Sequence, residues 1–282
     1  MSSEPIGIVA GAGELPAKLI AAARAAQRPF LVIALKDQAD PQVIGDAPHR
    51  WFRLGEAGSA IRALKDAGCV DLVMAGAVKR PGMLQLMPDR ATAAFFAKFG
   101  WKALGDDGLL RAVIQHLEQE YGFRIRGVEE VLPDLLGGAI GPLGQLAPDE
   151  AAWRDIRRGA EVLQALGSVD VGQSIVVQQD LVLGIEAVEG TDALLARTSG
   201  LARPGPGGVL VKLAKPGQET KLDRPALGVL TIENAAAAGL RGIAFDARDA
   251  LLVERAAMIA RADALGLFLV GIDPAQPDSL RC

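Results

Sequence analysis

IGIVAGAGELP, residues 6–16, is the stretch that decides how this chain folds. Residues 6–10 are a short apolar run, and Gly11-Ala12-Gly13 interrupts it before an alanine-rich amphipathic stretch that extends to residue 26. That succession reads as strand, glycine turn, helix. Working outward, strands are expected at 30–35, 50–54 and 71–75, with a helix over 58–67. Alternating strands and helices imply a parallel sheet covered by helices. From residue 88 to 121 the pattern is helical, broken at Gly105-Asp106-Asp107-Gly108, where either aspartate suits the cap of a second helix.

Residues 133–148 mix three prolines and four glycines with leucines, a composition that suits an ordered connector better than a helix or a strand. The expected organisation is a first domain over 1–132, a linker over 133–148 and a second α/β domain over 149–282. In the second half a helix is expected at 149–166, strands at 174–178 and 181–187, and a helix at 192–198. Strands at 208–214 and 226–229 follow, then a helix opened by Thr231, a strand at 242–246, a long helix through 264 and a last strand at 267–272.

Composition narrows the function. With 282 residues, half of them apolar, the chain has material for two cores, and 23% charged residues exclude a disordered or collagen-like polymer. Thirty basic residues against thirty-four acidic ones leave a net charge of -4, and no basic patch stands out, so nucleic acid is not an expected partner. The two cysteines, Cys69 and Cys282, support neither a disulfide framework nor a thiolate zinc site. The N-terminal residues lack the basic head and apolar run of a secretory signal, and no run reaches the ~18 apolar residues of a membrane span, so a cytoplasmic location is expected. Only His49 and His116 are present, which rules out a histidine-rich two-metal phosphoesterase site, and P-loop, G-x-S-x-G and H-E-x-x-H motifs are absent.

Four segments offer chemistry. Gly11 and Gly13 let a ligand approach the main chain ahead of a helix N-terminus, which suits a diphosphate; plain turn geometry is the alternative. Pro16 stands where a dinucleotide fingerprint needs its third glycine, which weakens an NAD or FAD reading. Gly76 and Lys79-Arg80 follow the 71–75 strand, at the sheet edge where open α/β folds bind ligands, unless they form a solvated basic turn. Glu186, Glu189, Thr191 and Asp192 gather hard oxygen donors of the kind magnesium or manganese takes, although Thr191 or Asp192 would also serve as an ordinary helix cap. Lys212 and Lys215 leave a strand end suited to neutralising phosphates, and Asp223 follows in a proline-restricted loop able to hold a cation or orient water; surface salt bridges are the plainer reading. Phe95, Phe96, Phe99 and Trp101, close to Met83, Leu84, Leu86 and Met87, suit core packing, and an acyl groove or a membrane-facing patch would have the same composition.

Taken in order and spacing, GIVAGAGELP (7–16), GDDGLLR (105–111), VGQS (171–174), EGTD (189–192), VK (211–212) and DRPALG (223–228) resemble the UDP-2,3-diacylglucosamine pyrophosphatases of the LpxI type, which act in lipid A biosynthesis. The resemblance spans nearly the whole chain. It implies a Rossmann-like N-terminal domain, a distinct C-terminal α/β domain, a homodimer, and hydrolysis of UDP-2,3-diacylglucosamine to lipid X and UMP with magnesium or manganese. Asp223 matches the family aspartate of D-x-P-x-x-G, while Arg224 and Ala12 depart from the usual leucine and asparagine. On this reading Asp223, Asp192 and Glu189 are the catalytic and metal-binding residues, and Gly11, Gly13, Gly76, Lys79, Gln173, Gly190, Thr191, Lys212 and Lys215 meet the substrate. A lipid substrate implies peripheral association with the inner membrane. A non-catalytic nucleotide-sugar or lipid-binding regulator is the alternative; a nicotinamide-dependent oxidoreductase is disfavoured by Pro16 and by Tyr121 being the only tyrosine.

Overall fold

The computed structural model describes residues 4–78, 86–99, 106–138, 140–216 and 224–276. These divide into two compact units between Pro133 and Asp134.

In the first unit, strands β1 (Ile6–Ala10), β2 (Phe30–Leu35), β3 (His49–Phe52), β4 (Asp71–Ala75) and β5 (Arg124–Arg126) alternate with helices α1 (Leu15–Ala25), α2 (Ala57–Asp66), α3 (Arg90–Phe99) and α4 (Asp106–Tyr121). The sheet order is β3-β2-β1-β4-β5, and every pair is parallel. Helices cover such a sheet, which explains why β1, β2 and β4 read as unbroken apolar runs. On one face Ile33, Leu72 and Ile125 pack against Ile61 and Leu64 of α2 and Ile114 and Leu117 of α4. Strand order reverses between β1 and β4, the position beyond whose carboxyl ends open α/β sheets bind ligands. β3 ends at Phe52 instead of Leu54, because residues 54–56 turn tightly and Arg53 N–H donates to the Glu56 carboxylate at 2.7 Å.

β5 has a single apolar residue, and charge carries the rest of it. Asp71 is almost fully buried at the start of β4 and accepts from Arg28 Nη2 at 2.5 Å, Arg124 Nε at 2.8 Å and Arg126 Nε at 3.1 Å. Burial pushes its pKa up, but the hydrogen bonds from Arg28 and Arg126 outweigh that and hold the carboxyl below its usual range.

The second unit holds β6 (Gly141–Pro142), β7 (Ser174–Gln178), β8 (Leu181–Ile185), β9 (Val209–Lys212), β10 (Ala226–Leu227), β11 (Gly242–Asp246), β12 (Leu251–Leu252) and β13 (Phe268–Ile272). Its helices are α5 (Glu150–Gly167), α6 (Thr191–Thr198), α7 (Val229–Ala237) and α8 (Arg255–Leu265). Six strands make one sheet in the order β6-β13-β11-β9-β7-β8. β9, β11 and β13 are mutually parallel, while β6, β7 and β8 each run antiparallel to a neighbour. Part of the 133–148 stretch builds this sheet, with Leu143 N–H reaching Leu269 O at 2.9 Å, and another part meets the chain beside β12, where Gly137 N–H reaches Ala250 O at 2.9 Å. Pro142 is tolerated because β6 is an edge strand.

Period-two alternation sorts the second core into two layers. Ile175, Val177, Val209, Val211, Val270 and Ile272 lie with α5, whereas Val176, Leu210, Phe245 and Leu269 lie with α6, α7 and α8. Each such side chain is worth about 1.5–3 kcal/mol in burial, so a one-residue slip in register is prohibited. The same parity puts Ser174, two residues from Val176, and Lys212, two from Leu210, on the α6 side. β7 and β8 are joined by a two-residue turn in which Gln179 and Asp180 both have positive φ, 55° and 62°. Asp155 braces that turn by accepting from Asp180 N–H at 2.8 Å. α7 opens at Val229 and not at Thr231: Gly228 is its extended cap, and Thr231 reaches back to Gly228 N–H at 3.5 Å.

Candidate functional site

The carboxyl edge of the second sheet gathers polar groups from four chain segments. β7 runs against β9, so its first residue, Ser174, pairs with the last residue of β9, Lys212. Glu186 follows β8 directly, and its N–H donates to Ser174 O at 2.8 Å. Thr191 is the first residue of α6, whose cap residue Gly190 contributes no side chain. These four side chains meet at one hydroxyl. Lys212 Nζ donates to Thr191 Oγ1 at 2.8 Å, Thr191 Oγ1 donates to Glu186 Oε1 at 3.3 Å, and Ser174 Oγ lies 3.1 Å from Thr191 Oγ1. Ser174, Glu186 and Lys212 are all more than nine-tenths buried. Glu186 Oε2 and Gln173 Oε1 are buried without a hydrogen-bond partner among the described residues. Gly172, with φ 63°, lets this turn pass so close to Glu186 O that a Cβ would collide with it.

Two further carboxylates stand on this edge. Asp246 ends β11 beside the Lys212 strand and accepts from the N–H groups of Arg248 at 3.0 Å and Asp249 at 3.1 Å. Burial pushes its pKa up, and those hydrogen bonds only partly counter the rise. Asp273, just past β13, accepts from Arg248 Nη2 at 2.7 Å. A buried ammonium beside a helix N-terminus is an arrangement suited to phosphate oxygens.

The expected site residues are placed as follows. Gln173, Gly190, Thr191 and Lys212 come together. Lys215 lies three residues beyond Lys212 and pairs with Asp170 at 2.6 Å. Glu189 turns to Arg197 at 3.0 Å, and Asp192 accepts from Asn234 Nδ2 at 2.9 Å. Asp223 and Lys79 lie outside the described residues, and among the described residues no group of three or more histidine, cysteine or acidic side chains is arranged to hold a metal ion. In the first unit Gly11 and Gly76 meet each other: Ala12 N–H donates to Ala77 O at 2.8 Å and Ala77 N–H to Ala12 O at 3.0 Å, zipping the ends of β1 and β4 together. Gly13 faces open space ahead of α1.

Two family models match the chain: the LpxI N-terminal domain over residues 5–135 and the LpxI C-terminal domain over residues 139–270. The chain belongs to the LpxI family. A Caulobacter vibrioides relative named UDP-2,3-diacylglucosamine pyrophosphatase LpxI is 41% identical over 276 residues, covering 95% of this chain and 98% of its own length. Among solved structures, Bordetella bronchiseptica WbmG, in complex with NAD and UDP, is 14% identical, with 97% of this chain and 82% of that one covered at a TM-score of 0.35. An Aspergillus clavatus N5-carboxyaminoimidazole synthase, in complex with ADP and an imidazole ribonucleotide, is 12% identical, covering 70% and 44% at 0.24. Both TM-scores are too low to inform fold or ligand.

Gln173, Ser174, Glu186, Thr191 and Lys212 thus all fall within the LpxI C-terminal domain, and Gly11, Gly13 and Gly76 within the LpxI N-terminal domain. The sequence grouped Glu186 with Glu189, Thr191 and Asp192 as a possible oxygen donor to a metal, but neither it nor Ser174 was among the expected site residues. A signal existed for both: each is a polar residue abutting an apolar strand, SIVVQ for Ser174 and LVLGI for Glu186, where burial demands a partner.

Proposed function

We propose that this LpxI-family chain hydrolyses UDP-2,3-diacylglucosamine to UMP and 2,3-diacylglucosamine 1-phosphate (lipid X), a step of lipid A biosynthesis. The observation that carries this reading is the 41% identity to the pyrophosphatase from Caulobacter vibrioides across nearly the full length of both chains. Water attacks the α-phosphorus, a P–O bond forms to the uridylyl group, and the bridging P–O bond breaks toward the lipid phosphate. Lys212, with Lys79 and Lys215, balances charge on the diphosphate as it separates. Gln173 donates through its amide. The Thr191 hydroxyl is already engaged by three neighbours, so a ligand oxygen would meet its main-chain N–H at the start of α6 instead. Gly11, Gly13, Gly76 and Gly190 leave room for the substrate beside the main chain.

A divalent cation, magnesium or manganese, belongs to the same proposal. Carboxylate oxygens suit such hard ions, and Asp192 fits one well because its present partner is a neutral amide. Glu189 would have to exchange Arg197 for the ion. Asp223, with Asp192 and Glu189, would hold it, and a bound ion would supply Lewis acidity toward a phosphoryl oxygen and acidify a water. Peripheral binding to the inner membrane surface from the cytoplasmic side and a homodimer complete the reading. No helix among the described residues is long and apolar enough to cross a membrane.

The test is to incubate the purified chain with UDP-2,3-diacylglucosamine in ¹⁸O-water, with magnesium and with EDTA. UMP carrying the label, lipid X without it, and loss of both in EDTA are expected. Asp223→Ala should abolish turnover while the chain stays folded. Label in lipid X would overturn the site of attack, turnover in EDTA the metal, and substrate binding without cleavage would favour the regulator.

A further inference from the structure

We infer that Glu186 is a positioning residue that aims the Lys212 ammonium through the hydroxyl of Thr191. The inference rests on the hydrolase reading for its kinetic consequence, but the geometry is independent of it. Thr191 Oγ1 has one proton and two lone pairs, and three groups contact it. Lys212 Nζ can only donate, and the Glu186 carboxylate only accepts, so the threonine proton goes to Glu186 Oε1 and one lone pair takes Lys212 at 2.8 Å. The remaining lone pair then accepts from Ser174, which settles a contact in which either hydroxyl could otherwise donate. Glu186 therefore fixes where the Thr191 proton points and, through it, which way Ser174 donates.

Glutamine at 186 would keep the shape but offer an N–H₂ as well as an oxygen. The amide N–H could then donate to Thr191 Oγ1 instead of accepting from it, so that the threonine proton turns to Ser174 and the amide competes with Lys212 for the lone pairs of that oxygen. Lys212 and Glu186 are 6% and 7% exposed, so water has little access to restore the order. Ser174, fully buried, is bound into the same choice.

The experiment compares Glu186→Gln, Lys212→Met and the double variant, with melting temperature measured for each. If Glu186 acts through Lys212, Glu186→Gln lowers kcat about 10- to 100-fold, as expected for displacing a charged group by under 1 Å, and changes KM much less. In the Lys212→Met background the same change has little further effect, and Glu186→Asp recovers part of the loss. Equal, multiplicative losses in the two backgrounds would overturn the inference. A readout that needs no turnover is the Nζ–H signal of Lys212 in ¹⁵N-lysine-labelled protein, assigned by its absence from Lys212→Met. It should be shifted or lost in Glu186→Gln at unchanged fold, and an unmoved signal would also overturn the inference. An inactive wild type that still shows the shift would sink the hydrolase reading and leave the positioning role standing. Should Glu186→Gln not fold, Thr191→Val cuts the same link and serves both measurements.

Discussion

Gly13 and Gly76 provide a controlled comparison in which φ is alike and the surroundings differ. Their φ angles are 92° and 95°, so alanine at either position meets a positive-φ penalty of similar size, about 1–2 kcal/mol. At Gly13 the new methyl meets nothing within 4 Å. At Gly76 it would overlap Ala12 O and sit 2.7 Å from the Gly11 carbonyl carbon and 3.0 Å from Ala12 N, all main-chain atoms that cannot rotate away. Relief requires the ends of β1 and β4 to part, and the paired hydrogen bonds between Ala12 and Ala77 go with them, each worth about 1 kcal/mol net. Gly76→Ala should therefore lose about 3–4 kcal/mol and Gly13→Ala about 1–2 kcal/mol. At about 3–5 °C per kcal/mol for a unit of this size, the first lowers Tm by roughly 10–20 °C and the second by roughly 3–10 °C. Scanning calorimetry of both variants beside wild type measures the difference directly. Melting temperatures that coincide within error would refute the close-approach reasoning. In the turnover assay Gly13→Ala should lose more kcat/KM than its small stability change explains, since that glycine faces open space at the start of α1.

Two other outcomes follow from the packing. Asp71→Asn should cost about 2–3 kcal/mol at pH 7; the figure is kept low because Arg124 and Arg126, 48% and 38% exposed, can turn to water, whereas Arg28 at 17% cannot fully do so. The Asp71 pKa is depressed in the folded state, so its contribution is present above the unfolded value of about 3.9 and fades as pH falls through the folded one; urea unfolding should show variant and wild type converging only below about pH 4, and a gap that stays constant into acid would contradict the assignment. In the β7–β8 hairpin, replacing Gln179-Asp180 with Asn-Gly at the two positive φ positions should raise Tm, by about 0.5–1 kcal/mol of stability, and a fall would mean that the Gln179 and Asp180 side-chain contacts outweigh the backbone gain.

Much of the scaffold was readable in the chain because burial on both faces writes itself as an unbroken apolar run. β1, β2, β4, β7 and β11 have the bounds expected from their sequences. β5 left no such trace: Arg124-Ile125-Arg126 is held by charge, and its aspartate lies 53 residues away. β6 and the start of α7 were hidden for a related reason, since glycine and proline took edge and cap positions that their intrinsic preferences describe poorly. At the site, Thr191 and Lys212 were legible as residue types but not as partners. Twenty-one residues separate them, and only strand parity together with the antiparallel course of β7 joins them. The carboxylates Glu189 and Asp192 looked equivalent to Glu186 in sequence. Their neighbours, Arg197 and Asn234, distinguish them, and these come from other turns of helix.

The hairpin of β7 and β8 has a further consequence, for insertions and deletions. Ser174 and Glu186 are its two feet, joined at Glu186 N–H to Ser174 O, and nine residues of strand and a two-residue tip lie between them. Loss or gain of a single residue in one arm would rotate that foot to the α5 layer and bring Gln173 or Ile175 to the place of Ser174, or Ala187 or Ile185 to the place of Glu186. A matched pair of changes, one in each arm, would merely shorten or lengthen the hairpin at its far end. Natural length variation in this segment should therefore come in even steps, and any lineage carrying an odd step should also carry a new bulge that restores the count.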